Sequence, residues 1–143
     1  YRFRLDINLM RQALNDLLGL HDFAAFQKAG SNRTNSCTTV QDVMIFNDGE
    51  IVTIEIQASG FLYGMVRLLV SQLVEIGEHK LSLQSFLQRW KEKRRDEVKH
   101  SAPAQGLCLI RAGYDELLFP ESAWLDNFPD FSLKTQDSPQ KPN

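Results

Sequence analysis

The stretch Ala58-Ser59-Gly60-Phe61-Leu62-Tyr63-Gly64-Met65-Val66-Arg67-Leu68-Leu69-Val70-Ser71-Gln72-Leu73-Val74 is apolar, small or neutral at every position but one. The exception is Arg67, whose guanidinium stays protonated in any protein environment. Read as a core helix that opens at Ser59 and Gly60 and ends near Gly77, the stretch forces a choice. Arg67 either snorkels to an edge or meets a carboxylate or phosphate, because an unpaired buried charge is strongly destabilising. Spacing alone favours the snorkel. As a membrane span the stretch is slightly short and carries Arg67, Ser71 and Gln72. No membrane association is expected.

Upstream, Ile51 to Ala58 alternates Ile51, Thr53, Glu55 and Gln57 with Val52, Ile54, Ile56 and Ala58. That is a strand with one wetter face. Val40 to Phe46 is its partner, joined through the turn Asn47-Asp48-Gly49. Before them, Gln27 to Thr39 is polar and reads as an exposed loop charged only at Lys28 and Arg33. His21 to Phe26 reads as a single helical turn docking Phe23 and Phe26. Asp6 caps a helix with Ile7, Met10, Leu14, Leu17 and Leu18 at helical spacing, stopped by Gly19. Tyr1 to Arg4 reads as the end of a strand.

Downstream, a helix after Ser82 carries Phe86, Leu87 and Trp90 on its apolar face. Its basic end, Lys91 to Arg95, is either a solvated terminus favoured by the helix dipole or a contact for RNA phosphates. Lys99 to Gly106 is a loop, since Pro103 prevents helix, and Leu107 to about Tyr114 reads as a strand. Residues 118–143 lose periodicity and read as a partly ordered to disordered tail. The order of elements predicts an α+β domain over residues 1–117, an antiparallel sheet with helices packed on one face. Phe61 and Tyr63 are assigned to the core rather than to base-stacking platforms, because they fall in the apolar helix.

The totals narrow the function. With 143 residues and 43% hydrophobic content the chain can build a real core. A net charge of −2 shows no overall basic footprint, although a local patch is compatible with it. Cys37 and Cys108 are too few for a disulfide framework, which points to a reducing, cytoplasmic setting. His21, His79 and His100 are scattered, so no metal site is expected. The loop Ser101-Ala-Pro-Ala-Gln-Gly-Leu107 is an ordinary turn by its chemistry, or a place where a flat base approaches closely.

Gly60-Phe-Leu-Tyr-Gly-Met-Val-Arg67, followed by Ala102-Pro-Ala-Gln-Gly-Leu-Cys-Leu109, resembles the carboxy-terminal half of the tRNA pseudouridine synthase A (TruA) family. That family has an F-x-x-x-M-V-R-N helix and an A-P-A-x-G-L-x-L strand entry about forty residues later. His21-Asp-Phe-Ala-Ala-Phe26 is similar to its D-F-x-x-F segment, and the likeness extends from Ile7 to Glu116. The resemblance implies isomerisation of uridine to pseudouridine in the tRNA anticodon arm, around positions 38 to 40, with neither cofactor nor metal. It implies a homodimer and a mechanism in which an aspartate attacks the uridine, the glycosidic bond breaks and the base reattaches through carbon. The aspartate lies in a G-R-T-D-A-G motif of the preceding half, absent from this sequence. Asn32-Arg-Thr-Asn35 is a chance likeness to it.

By the same resemblance Arg67 matches the active-site arginine that pairs with the aspartate, and Gly106 with Leu107 matches the apolar wall of the uracil pocket. Phe26, Gln27, Lys28 and Arg33 belong to a tRNA-contacting stretch. Gln27 stands where the family often has an arginine, Leu68 where it has an asparagine and Gly64 where a histidine is frequent. Three ordered motifs shift the reading of Arg67 from snorkel to site. The chain is then expected to be inactive alone, to need an amino-terminal catalytic half, and to self-associate through an apolar face. The alternatives are a non-catalytic RNA-binding or assembly module on the same scaffold, and a plain interaction domain.

Overall fold

A computed structural model describes residues 4–31 and 33–113. Residues 1–107 form one compact unit and 108–143 a second, of which only 108–113 are described; they form neither helix nor strand. The expected tail, 118–143, lies outside the described residues, as does the strand end expected over 1–4 except for Arg4, which is in neither helix nor strand.

The first unit is built as α1 (Ile7–Asn15), β1 (Gly19–Asp22), a 3₁₀ turn (Ala24–Phe26), β2 (Cys37–Asp48), β3 (Ile51–Ala58), α2 (Met65–Gly77), α3 (Leu83–Lys91) and a second 3₁₀ turn (Ala104–Gly106). The three strands form an antiparallel sheet in the order β1-β2-β3. The fold is α+β.

Pairing of Val43 with Ile56 and Ile45 with Ile54 puts the branched apolar side chains on one face. They join Met10, Ala13, Leu14 and Leu17 of α1 and Leu69, Leu73 and Ile76 of α2 in the core. Asp6 caps α1 through the amides of Asn8 and Leu9, both at 3.1 Å, while its own N–H donates to the Gly77 carbonyl at 2.9 Å. A Cβ at Gly77 would sit 2.7 Å from the Met10 sulfur, so the missing side chain is what lets α1 lie on the end of α2.

The second helix-rich corner is aromatic. Phe23, Phe26, Phe86 and Trp90 pack together, with Phe23 stacked on Trp90 at a 5.1 Å centroid distance. Such pairs add roughly 0.5–1.5 kcal/mol beyond their area burial. The Trp90 indole N–H donates to the Asp22 carbonyl at 2.8 Å, which fixes α3 against the end of β1.

Several expected boundaries move. The long helix begins at Met65, because Gly64 adopts a left-handed conformation (φ 74°) that an α-helix cannot contain. Residues 59–64 instead continue from β3, tied by Ser59 N–H to the Thr39 carbonyl and Thr38 Oγ1 to the Gly60 carbonyl. Phe61 and Tyr63 are therefore exposed rather than in the core. The helical turn placed at His21 to Phe26 is a strand as far as Asp22 and a 3₁₀ turn only from Ala24. β2 starts at Cys37, inside the expected loop, and carries a bulge between Val40 and Asp42. Leu107 to Gly113 forms no strand; Leu107 N–H instead closes the 3₁₀ turn on the Ala104 carbonyl.

Candidate active site

Arg67 is the third residue of α2. A cation there faces the positive end of the helix dipole, a placement that costs stability unless an anion shares it. Gly64 offers no side chain to cap that end, and the first turn contains no acid. The residue as a whole is half-buried. Its Nε donates to the Ala102 carbonyl at 2.7 Å, and Ala102 N–H returns a bond to the Arg67 carbonyl at 2.9 Å. This reciprocal pair fastens the 99–106 loop to the start of α2. No carboxylate lies within ion-pair distance of Arg67 among the described residues.

Lys28 arrives at the same place from the other side. Its backbone N–H donates to the Tyr63 carbonyl at 3.0 Å, and its aliphatic stem passes over Gly64. A Cβ at Gly64 would stand 2.8 Å from Lys28 Cγ and Cδ, so glycine is needed here for space as well as for its positive φ. The ammonium donates to Ser101 Oγ at 3.0 Å. Two neighbouring residues, Ser101 and Ala102, thus hold the two cations Lys28 and Arg67.

Phe26 is fully buried in the aromatic cluster. Its ring is withdrawn from the surface, at the end of the 3₁₀ turn that leads directly into the loop carrying Lys28. Gln27 braces the loop, donating from Nε2 to the Arg33 carbonyl at 3.0 Å and accepting at its own carbonyl from Arg95. Arg33 is exposed, bonded by Nη2 to the Cys37 carbonyl at 3.2 Å, with Nη1 beside Gly60. Gly106 and Leu107 point outward at the far end of the loop, Gly106 with open space where a Cβ would be. The structure therefore brings Arg67, Lys28 and Arg33 around residues 59–64, and Gly106 and Leu107 stand exposed further along the loop that Arg67 fastens at Ala102.

The basic end of α3 is largely consumed within the fold. Lys93 pairs with Asp22 at 2.6 Å, while Arg94 pairs with Glu92 and Glu97. The Lys93 ammonium and then the Ser36 hydroxyl hold the Asp22 carboxyl at about 2, below its ordinary 3.8. Arg95 alone of this run turns to the loop, at the Gln27 carbonyl. A surface hollow lined by Asp16, His21, Asp22, Leu87, Trp90, Lys91 and Lys93 takes in part of the basic run expected as an RNA contact but none of Phe26, Gln27, Lys28, Arg33, Arg67, Gly106 and Leu107. Among the described residues no group of three or more His, Cys, Asp and Glu side chains is placed to hold a metal ion, and no helix is long and apolar enough to cross a membrane. Sequence reasoning missed Ser101 and Ala102 as holders of the cations, although it quoted their loop. It also missed the exposure of Phe61 and Tyr63, for which Gly60 and Gly64 on either side were the available signal.

The domain is thus a three-stranded antiparallel sheet backed by helices, with a partly buried arginine in the first turn of one of them. A family model described as tRNA pseudouridine synthase matches residues 13–115, and the chain belongs to that family. It is 58% identical to the tRNA pseudouridine synthase A of Prochlorococcus marinus over 142 residues, 99% of this chain and 49% of that protein. The protein of the same name from a Synechococcus species is 57% identical over 99% of this chain and 47% of its own length. For a Nostoc species the figures are 51%, 90% and 46%. The chain spans about half the length of the curated relatives it matches.

Proposed function

We propose that this chain is the carboxy-terminal domain of a tRNA pseudouridine synthase, and that in the intact enzyme Arg67 faces the catalytic aspartate of the amino-terminal half. The reaction is isomerisation of uridine to pseudouridine in the anticodon arm, around positions 38 to 40, by a cytoplasmic homodimer. The observation that carries this reading is the incomplete partnering of Arg67. Its Nε is fixed to a carbonyl, the residue is half-buried in the first turn of α2, and it has no carboxylate partner among the described residues. A cation so placed is stabilised by an anion from outside the domain.

A carboxylate set against Arg67 is kept ionised by the neighbouring charge, which is the state needed to attack uridine. Arg67 also orients it, since two fork nitrogens remain for a bidentate pair once Nε is bound to Ala102. The glycosidic bond then breaks and the base rejoins through carbon, with Gly106 and Leu107 against the uracil. Lys28 and Arg33 contact the tRNA backbone, on a loop braced by Gln27 and anchored by Phe26.

The test is Arg67→Ala and Arg67→Lys in the intact enzyme, assayed for pseudouridine in a transcribed tRNA. Loss of about 10²-fold or more in turnover for Arg67→Ala, with an unchanged circular dichroism spectrum, is expected. Unchanged turnover, or simple unfolding, overturns the assignment. The isolated chain is expected to give no turnover, and robust product from it would overturn the division of the site between two halves.

A further inference from the structure

The aromatic residues between β3 and α2 belong to the apolar run of the sequence, yet both stand at the surface. Phe61 is 40% and Tyr63 62% exposed, while Leu62 between them is 3% exposed. Leu62 anchors the segment inward, so both rings project outward. The backbone beneath them is held at both ends. The Gly60 carbonyl accepts from Thr38 Oγ1 at 2.7 Å, and the Tyr63 carbonyl accepts from Lys28 N–H at 3.0 Å. Gly64 then turns the chain into α2. The Tyr63 hydroxyl has no hydrogen-bond partner among the described residues.

Cations flank the segment that carries the two rings. Arg33 lies beside Gly60, the Lys28 stem crosses Gly64, and Arg67 follows within the first turn of α2. None of the three has a carboxylate partner among the described residues, whereas Lys93 and Arg94 are paired with acids. Rigid, exposed aromatics among cations unpaired with acids are the elements of a single-strand nucleic-acid surface. The rings stack on bases and the cations follow the phosphates. A partner protein covering the rings would leave those cations unanswered unless it also supplied acids.

We propose that Tyr63 is a base-stacking platform, seconded by Phe61, which receives an unpaired nucleotide flanking the target uridine while Lys28 and Arg33 hold the adjacent phosphates. The proposal rests on the tRNA reading above and names a contact within it. An enzyme that acts on a base must take it out of its stack. A ring four residues from Arg67 is near enough in sequence to stack on the flanking base that loses its stacking neighbour when the uridine leaves the helix.

The experiment uses the intact enzyme and an anticodon stem-loop RNA with 2-aminopurine next to the target position. Tyr63→Ala is expected to weaken binding about 5- to 150-fold and to abolish the fluorescence quenching of the bound probe. Tyr63→Phe should retain both, and Tyr63→Leu should lose the quenching. Unchanged affinity and quenching in Tyr63→Ala would overturn the stacking proposal while leaving the tRNA reading in place. A change in the assembly's sedimentation without any loss of RNA affinity would assign the ring to a protein contact and equally overturn it. If the unaltered enzyme does not bind the stem-loop, the tRNA reading itself fails.

Discussion

At the scale of single residues, Gly64 links the backbone to the charge of the site. Its φ of 74° starts α2 at Met65, and its missing Cβ makes room for the Lys28 stem. Gly64→Ala is expected to destabilise the fold by about 1–2 kcal/mol, from left-handed strain together with displacement of Lys28. The two causes separate in a double-mutant cycle read by denaturant unfolding. In a Lys28→Ala background the cost should fall to the backbone share, roughly 1 kcal/mol. An unaltered cost there would show that Lys28 does not occupy the space above Gly64. Arg67 was visible in the sequence as an anomaly, one charge in an apolar run. Its fastening to Ala102 was not, since a bond across 35 positions of chain leaves no local pattern.

At the scale of elements, the 3₁₀ turn and α3 show how the loop carrying Lys28 and Arg33 is held. Asp22 closes the turn by accepting from Ala24 N–H at 2.9 Å and from Ser36 Oγ, while Lys93 clamps its second oxygen. Because the folded carboxyl titrates at about 2, below its ordinary 3.8, the ionised form binds the fold more strongly than the protonated one. Its contribution is fully present above about pH 4 and is lost as the pH falls towards 2. With a partly exposed side chain, solvent screening reduces that contribution to about 1 kcal/mol. Asp22→Asn should therefore unfold with a shallower pH dependence between 4 and 2 than the unaltered protein, measured as denaturant midpoints by tryptophan fluorescence. Parallel profiles would refute the clamp. Elements set by periodicity were legible here: α1, α3, the β2–β3 hairpin and the core part of α2. The segments that were not legible, residues 19–22 and 59–64, take their shape from pairing with β2 or from Gly64, and neither influence appears as a period of apolar residues.

At the scale of the whole molecule, the sheet has one covered face and one open one. The register pairs Met44 with Glu55 and Phe46 with Thr53 on the outer side, with Ile51 and Leu20 beyond them. Leu20, Met44, Phe46 and Ile51 are all exposed, so apolar groups from all three strands share the solvent side. Apolar groups gathered on one exposed face mark a contact surface more often than a neutral exterior. Charge offers little opposition to self-association, because the net charge of the chain is only −2. The isolated chain should therefore associate with itself as its concentration rises, giving an average mass above 16.4 kDa by sedimentation equilibrium. Met44→Lys with Phe46→Lys should restore the single-chain mass. Both positions are exposed on the outer side of β2, so the stability change should stay within about 0.5 kcal/mol. Lysines at this face meet each other across any symmetric contact, and their repulsion acts only on the assembly. A clean single-chain mass for the unaltered protein across a wide concentration range would show that the outer face is not sticky enough to pair. Association that survived both lysines would move the contact elsewhere on the molecule.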